Sequence, residues 1–184
     1  NGNRKRNRQA HQYLCVRGFA KATLSSVGLT RCSEVDTWQE KTDRTMTITK
    51  EEKQSLIDLA NEARRRAYVP YSNYPVGAAL QTKTGRIFTG VNIENAAYPQ
   101  TMCAERIAIF KAVSEGEKEF EAIAVVTNNG GSPCGGCRQV MAEFGLDTIV
   151  LFGNGEGKLT FETTVNNLLP EAFIPEHLAV DNEG

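Results

Sequence analysis

Three cysteines and one glutamate are the residues of this chain whose types and spacing could do chemistry. Cys103-Ala104-Glu105 comes first, and Pro133-Cys134-Gly135-Gly136-Cys137 follows after a gap of about 30 residues. Thiolate sulfur is a preferred ligand of Zn²⁺, and catalytic zinc sites keep three protein ligands with a fourth position open to water. Cys103, Cys134 and Cys137 fill that count. Glu105, two residues past the first cysteine, is placed to move protons at such a water. Taken alone, Cys134-x-x-Cys137 would read as a redox pair or as half of a closed structural site, which needs a fourth Cys or His. Outside the N-terminal segment the chain offers only His177, far from the cysteines in sequence. That shortage, together with Glu105, favours an open catalytic zinc.

Charge adds a requirement. Three thiolates around Zn²⁺ leave a net charge of −1, which makes a metal-bound water harder to ionise than three imidazoles would. Something should offset it. Arg106, Arg138 and Gln139 adjoin the ligands in sequence and are expected to donate hydrogen bonds to sulfur.

Both cysteine groups fall at expected helix starts, where free N–H groups and the helix dipole favour thiolate over thiol. Upstream, Thr49-Lys50-Glu51-Glu52 reads as a capping box. Leu56, Leu59, Ala60, Ala63 and Ala67 then follow helical spacing, which predicts an amphipathic helix over 50–67. Pro70 ends it, and 71–75 is a loop. Residues 76–82 and 86–91 are β-rich runs joined by Lys83-Thr84-Gly85, a hairpin. Helices are expected over 102–115, 135–144 and 164–169, with strands over 122–127, 148–152 and 159–163. Strands alternating with helices imply an α/β fold, a layered sheet of about five strands covered by helices.

At 184 residues, 40% hydrophobic and 23% charged, the chain has the length and composition of one soluble globular domain. No apolar run approaches the roughly 20 residues of a membrane helix. The net charge of −1 conceals an asymmetry: residues 1–45 carry nine basic against four acidic side chains, and the remainder twelve against eighteen. An acidic body is a poor match for a nucleic-acid backbone, so a small substrate is expected and nucleic acid is not. Five cysteines are an odd count, with three in the metal pattern and Cys15 and Cys32 incidental, which favours a reducing compartment. Residues 1–45 are a basic N-terminal extension with three competing readings: a transit segment, a disordered tail, or sequence upstream of a start at Met46. Residues 46–184 are expected to form one catalytic domain. The location expected from a start at Met46 is the cytosol, with an organelle as the alternative.

Four ordered segments carry a family resemblance. They are Pro70-Tyr71-Ser72-Asn73-Tyr74-Pro75-Val76-Gly77-Ala78-Ala79-Leu80, Gly90-Val91-Asn92-Ile93-Glu94-Asn95-Ala96-Ala97-Tyr98-Pro99, Cys103-Ala104-Glu105-Arg106, and Ser132-Pro133-Cys134-Gly135-Gly136-Cys137-Arg138-Gln139. Together they resemble the small cytidine deaminases of the homotetrameric, three-cysteine type, over about 50–178; zinc deaminases as a class pair such cysteines with a glutamate that moves protons. The resemblance implies a three-layer α/β/α sandwich with a mixed sheet, one Zn²⁺ per subunit on Cys103, Cys134 and Cys137, and Glu105 as proton shuttle. It implies that Asn92 and Glu94 hydrogen-bond the ribose hydroxyls and that Tyr74 packs against the pyrimidine. The Ala104 backbone would contact the pyrimidine edge, while Tyr98 and Phe173 would enter a neighbouring subunit's active site. The implied reaction converts cytidine or 2′-deoxycytidine to the uracil nucleoside and ammonia, in pyrimidine salvage. A blasticidin-type antibiotic deaminase shares the scaffold, and a non-enzymatic zinc-binding module is the remaining alternative. Ala97 departs from a cysteine common at that position, away from any catalytic group.

Overall fold

The computed structural model describes residues 48–178. The expectations for 1–45, Cys15 and Cys32 included, lie outside the described residues.

Thr49 starts the first helix, α1 (Lys50–Arg64), with both halves of the expected capping box. Its hydroxyl accepts from the Glu52 N–H at 3.2 Å, and the Glu52 carboxylate accepts from the Thr49 N–H at 2.8 Å. The helix stops three residues short of the expected 67. Its end tightens into three-residue turns, with Arg66 N–H donating to Ala63 O at 3.0 Å and Ala67 N–H to Arg64 O at 3.1 Å. The cause is long-range. Tyr68 leaves the helix to pair with residues 92–94, donating to Asn92 O and accepting from Glu94 N–H.

Strands β1 (Gly77–Thr82) and β2 (Ile87–Val91) form the expected hairpin, and Gly85 takes the left-handed backbone its turn needs, at φ +85°. Then come α2 (Ala104–Ser114), β3 (Phe120–Val126), α3 (Gly135–Ala142), β4 (Ile149–Gly153), β5 (Leu159–Thr164) and the short α4 (Val165–Leu168). Turns of 3₁₀ helix cover Tyr98–Gln100 and Pro175–Leu178. The five strands lie in the order β2-β1-β3-β4-β5, antiparallel except for the parallel pair β3–β4. The sheet is therefore mixed, as expected.

Alternation along the strands separates two cores. Ala79, Ala122, Ala124, Val126 and Leu151 face Leu56, Ile57 and Ala60 of α1. On the other face Ala78, Leu80, Ile123, Val125, Val150 and Phe152 meet α2, α3 and α4 through Ala108, Ile109, Met141 and Val165. Helices on both faces make three layers. Two glycines let the helices approach: a Cβ on Gly77 would stand 2.0 Å from Ala60 O in α1, and one on Gly90 2.2 Å from Ala104 O in α2.

This topology positions the chemistry. Strands β2 and β3 both run antiparallel to β1, so they run parallel to each other. The helices that follow them, α2 and α3, therefore begin at the same end of the sheet, on the same face. Residues far apart in sequence meet there, at the carboxyl ends of strands, where open α/β sheets place their ligands.

Candidate active site

Cys103 is the N-cap of α2 and Cys134 the N-cap of α3, both with extended backbone, while Cys137 lies one turn into α3 on the same side as Cys134. Among the described residues these three form a group whose sulfurs all lie within 4.8 Å of one another. Cys103 Sγ stands 3.9 Å from Cys134 Sγ, which stands 3.5 Å from Cys137 Sγ. Zinc–sulfur bonds of about 2.3 Å give a tetrahedron with edges of about 3.8 Å. The trio fits that figure, and its three soft donors suit zinc. Cys137 is buried, Cys103 half-buried and Cys134 exposed, so the cluster opens on the Cys134 side.

With protons alone as ligands, Cys103 and Cys137 perturb each other. The Cys103 thiol is lowered to about 5, first because Cys137 donates a hydrogen bond to it and further because Arg106 adds a hydrogen bond and charge. The Cys137 thiol is pushed up by that same bond and by burial. Glu105, in the first turn of α2 and only 4% exposed, has its carboxyl pushed above the ordinary range, chiefly by burial. A buried carboxyl that keeps its proton more readily is suited to both taking and giving one.

The three residues expected to donate to sulfur divide. Arg106 does so, with Nη2 3.5 Å from Cys103 Sγ. Arg138 and Gln139 do not. Arg138 donates to Pro133 O at 2.9 Å, Ser132 Oγ at 2.7 Å and Leu168 O at 2.7 Å, so its guanidinium pins the turn ahead of Cys134 to the C-terminal segment. Gln139 Nε2 donates to Phe173 O at 2.6 Å, clasping the same segment. Sequence adjacency misled because these side chains leave α3 toward a segment some thirty residues downstream.

The remaining site residues gather around two loops. Asn92 Oδ1 accepts from Val76 N–H at 2.8 Å and its Nδ2 donates to Tyr74 O at 2.9 Å. Glu94 accepts from Tyr71 N–H at 2.9 Å, from Ser72 N–H at 3.2 Å and from the Ser72 hydroxyl, and its carboxyl is held below the ordinary range chiefly by that hydroxyl. An isolated bridge between Ile93 and Met102 sets this stretch beside Cys103. Ala104 opens α2 and is fully buried. Tyr98 is 70% exposed with its ring against Tyr71, and Phe173 is 56% exposed with its ring against His177. The sequence reading missed Thr127, Asn129 and Gly131 on the loop before Cys134. Its signal was the Asn128-Asn129-Gly130-Gly131 run, which reads as an ordinary turn.

Three sulfurs at two helix N-termini, a buried carboxyl and a guanidinium on one sulfur suit a zinc centre on an α/β/α scaffold. Residues 50–153 match the family described as the cytidine and deoxycytidylate deaminase zinc-binding region. The chain belongs to that family. It is 53% identical over 129 residues to a cytidine deaminase of Sporosarcina psychrophila, covering 68% of this chain and 94% of the relative. The crystal structure of cytidine deaminase from Burkholderia pseudomallei superposes with a TM-score of 0.62 at 48% identity, over 65% of this chain and 97% of that one. A blasticidin-S deaminase of Bacillus cereus is 38% identical over 125 residues, covering 62% of this chain and 87% of the relative.

Proposed function

We propose that this protein hydrolyses cytidine and 2′-deoxycytidine to uridine and 2′-deoxyuridine, one water entering and one ammonia leaving per turnover, as a step of pyrimidine salvage. The observation that carries this reading is the buried Glu105 beside the cluster of Cys103, Cys134 and Cys137. Those cysteines would hold Zn²⁺, which when bound supplies a water acidic enough to add at C4 of the cytosine ring. Glu105 takes one proton from the entering water and gives it to ring N3, then takes that oxygen's second proton and gives it to the departing amine, one carboxyl serving as base and acid. Arg106 balances the excess negative charge of the thiolates from its place on Cys103. Asn92 and Glu94 serve the ribose hydroxyls, Tyr74 the face of the pyrimidine and the Ala104 backbone its edge.

The assembly we propose is a homotetramer in which Tyr98 and Phe173 complete a neighbour's site. Their exposure supports it, as does the exposure of Tyr68, Tyr71 and Ile93. Among the described residues no helix is long and apolar enough to cross a membrane. The location we propose is the cytosol, with an organelle as the alternative if residues 1–45 are a transit segment.

The deciding experiment is the loss of cytidine absorbance on mixing with zinc-loaded protein. Turnover of cytidine well above that of blasticidin S is expected. The reverse order would make the protein an antibiotic deaminase, and tightly held zinc without turnover of either would make it a binding module.

A further inference from the structure

Tyr74 sits in a slot made by the loop that leads to Cys134. Its hydroxyl donates to Asn129 Oδ1 at 2.6 Å. The same oxygen accepts from Thr127 Oγ1 at 3.2 Å, and Thr127 Oγ1 in turn accepts from Gly131 N–H at 2.6 Å. Thr127 is buried and tied to the sheet, its N–H donating to Gly153 O at 3.1 Å. Asn129 is anchored through an isolated bridge to Asn154. Gly131 makes the space: a Cβ there would stand 2.8 Å from the Tyr74 hydroxyl, but 3.4 Å from the Asn129 and Thr127 side-chain oxygens. From the other side, Asn92 holds the Tyr74 carbonyl at 2.9 Å. The aromatic side chain is therefore fixed at both ends, by its backbone and by its hydroxyl.

We infer that Asn129 and Gly131 are positioning residues for substrate binding, Asn129 by holding the Tyr74 hydroxyl and Gly131 by leaving room for it. This rests on the reading that Tyr74 faces the pyrimidine. A ring whose angle is locked in advance loses less freedom when a base stacks on it, so the lock acts on affinity. Neither residue reaches the reacting atoms, and kcat should be indifferent to both. The loop also carries the ligand turn, since Ser132 and Pro133 follow directly and are held by Arg138. One segment thus places both a metal ligand and the ring lock.

A double-mutant cycle on KM for cytidine, with zinc-loaded enzyme, tests this. Tyr74→Phe and Asn129→Leu should each raise KM about fivefold, the scale of one lost hydrogen bond, and the double variant should be no worse than either single. Asn129→Asp keeps an oxygen for both hydroxyls and should bind like the parent. Gly131→Ala should raise KM further, and adding Tyr74→Phe should rescue it, because removing the hydroxyl frees space for the methyl. Additive effects of Tyr74→Phe and Asn129→Leu, or a Gly131→Ala defect that Tyr74→Phe leaves untouched, overturn the inference. If Asn129→Leu fails to fold, the Gly131 pair decides. The underlying reading fails separately: Tyr74→Ala with unchanged KM takes the ring away from the substrate, whatever the cycle gives.

Discussion

Glu105 and Arg106 are neighbours in sequence that carry opposite charges to the same cluster. Glu105 turns inward and is buried, which raises its affinity for a proton. Arg106 keeps its charge and places it on Cys103. Glu105→Gln preserves the shape of the side chain and removes its ability to carry a proton. Turnover should fall by about 10²–10⁴, the range for a positioned acid–base group, while zinc content by atomic absorption stays at the parent level. Residual activity near that of the parent would remove Glu105 from the proton path. At this scale the placement was legible in the sequence: two cysteines three residues apart share a helix side, and a carboxyl two residues past a helix cap lies in its first turn. Where a long side chain would reach was not legible. Arg138 and Gln139 bond to Leu168 and Phe173, and no local rule foretells where that segment runs.

Among the elements, α1 and β1 approach closely enough that only a glycine fits at position 77. Gly77→Ala would drive a methyl into the Ala60 carbonyl at 2.0 Å and the Arg64 backbone N at 2.7 Å, with no flexible side-chain end to yield. Overpacking against backbone should cost about 3 kcal/mol, and thermal unfolding should show Tm lowered by roughly 10 °C. The 71–72 turn is bonded instead to the Glu94 carboxylate. Its folded pKa is depressed, so the stability it contributes is present above the ordinary carboxylate value and is lost as pH falls through the folded one. Glu94→Gln should flatten that acid limb in a pH series of thermal melts; an unchanged limb would show that the turn does not depend on the charge. The ends of elements were harder to read than their existence. α1 carries the expected capping box yet ends at Arg64, because Tyr68 is drawn into pairing with Asn92 and Glu94.

Among the described residues, apolar side chains of α2 stand exposed. Ala104, Ala108, Ile109 and Ala112 face the sheet, yet Phe110 on the outer side is 45% exposed and Ile107 is half-buried. A helix apolar on both sides belongs in a core or an interface. We expect copies of this chain to meet there. In the proposed homotetramer, Phe110→Arg should lower the mass seen by light scattering, and activity should fall with it if Tyr98 and Phe173 complete a neighbour's site. A tetramer that persists in this variant would take α2 out of the interface.

The sequence by itself determined the candidate ligand atoms, the acid near them, the caps and the hairpin, because each follows from rules that act within one turn of chain. Only the tertiary structure decided that the ligands meet. The 3.9 Å between Cys103 and Cys134 depends on β2 and β3 running the same way on either side of β1, so that α2 and α3 begin at one end of the sheet. The lock on Tyr74 depends likewise on Asn129, 55 residues away. Such contacts are settled by strand order and by which loops share an end of the sheet, and a pattern read along the chain does not contain that order.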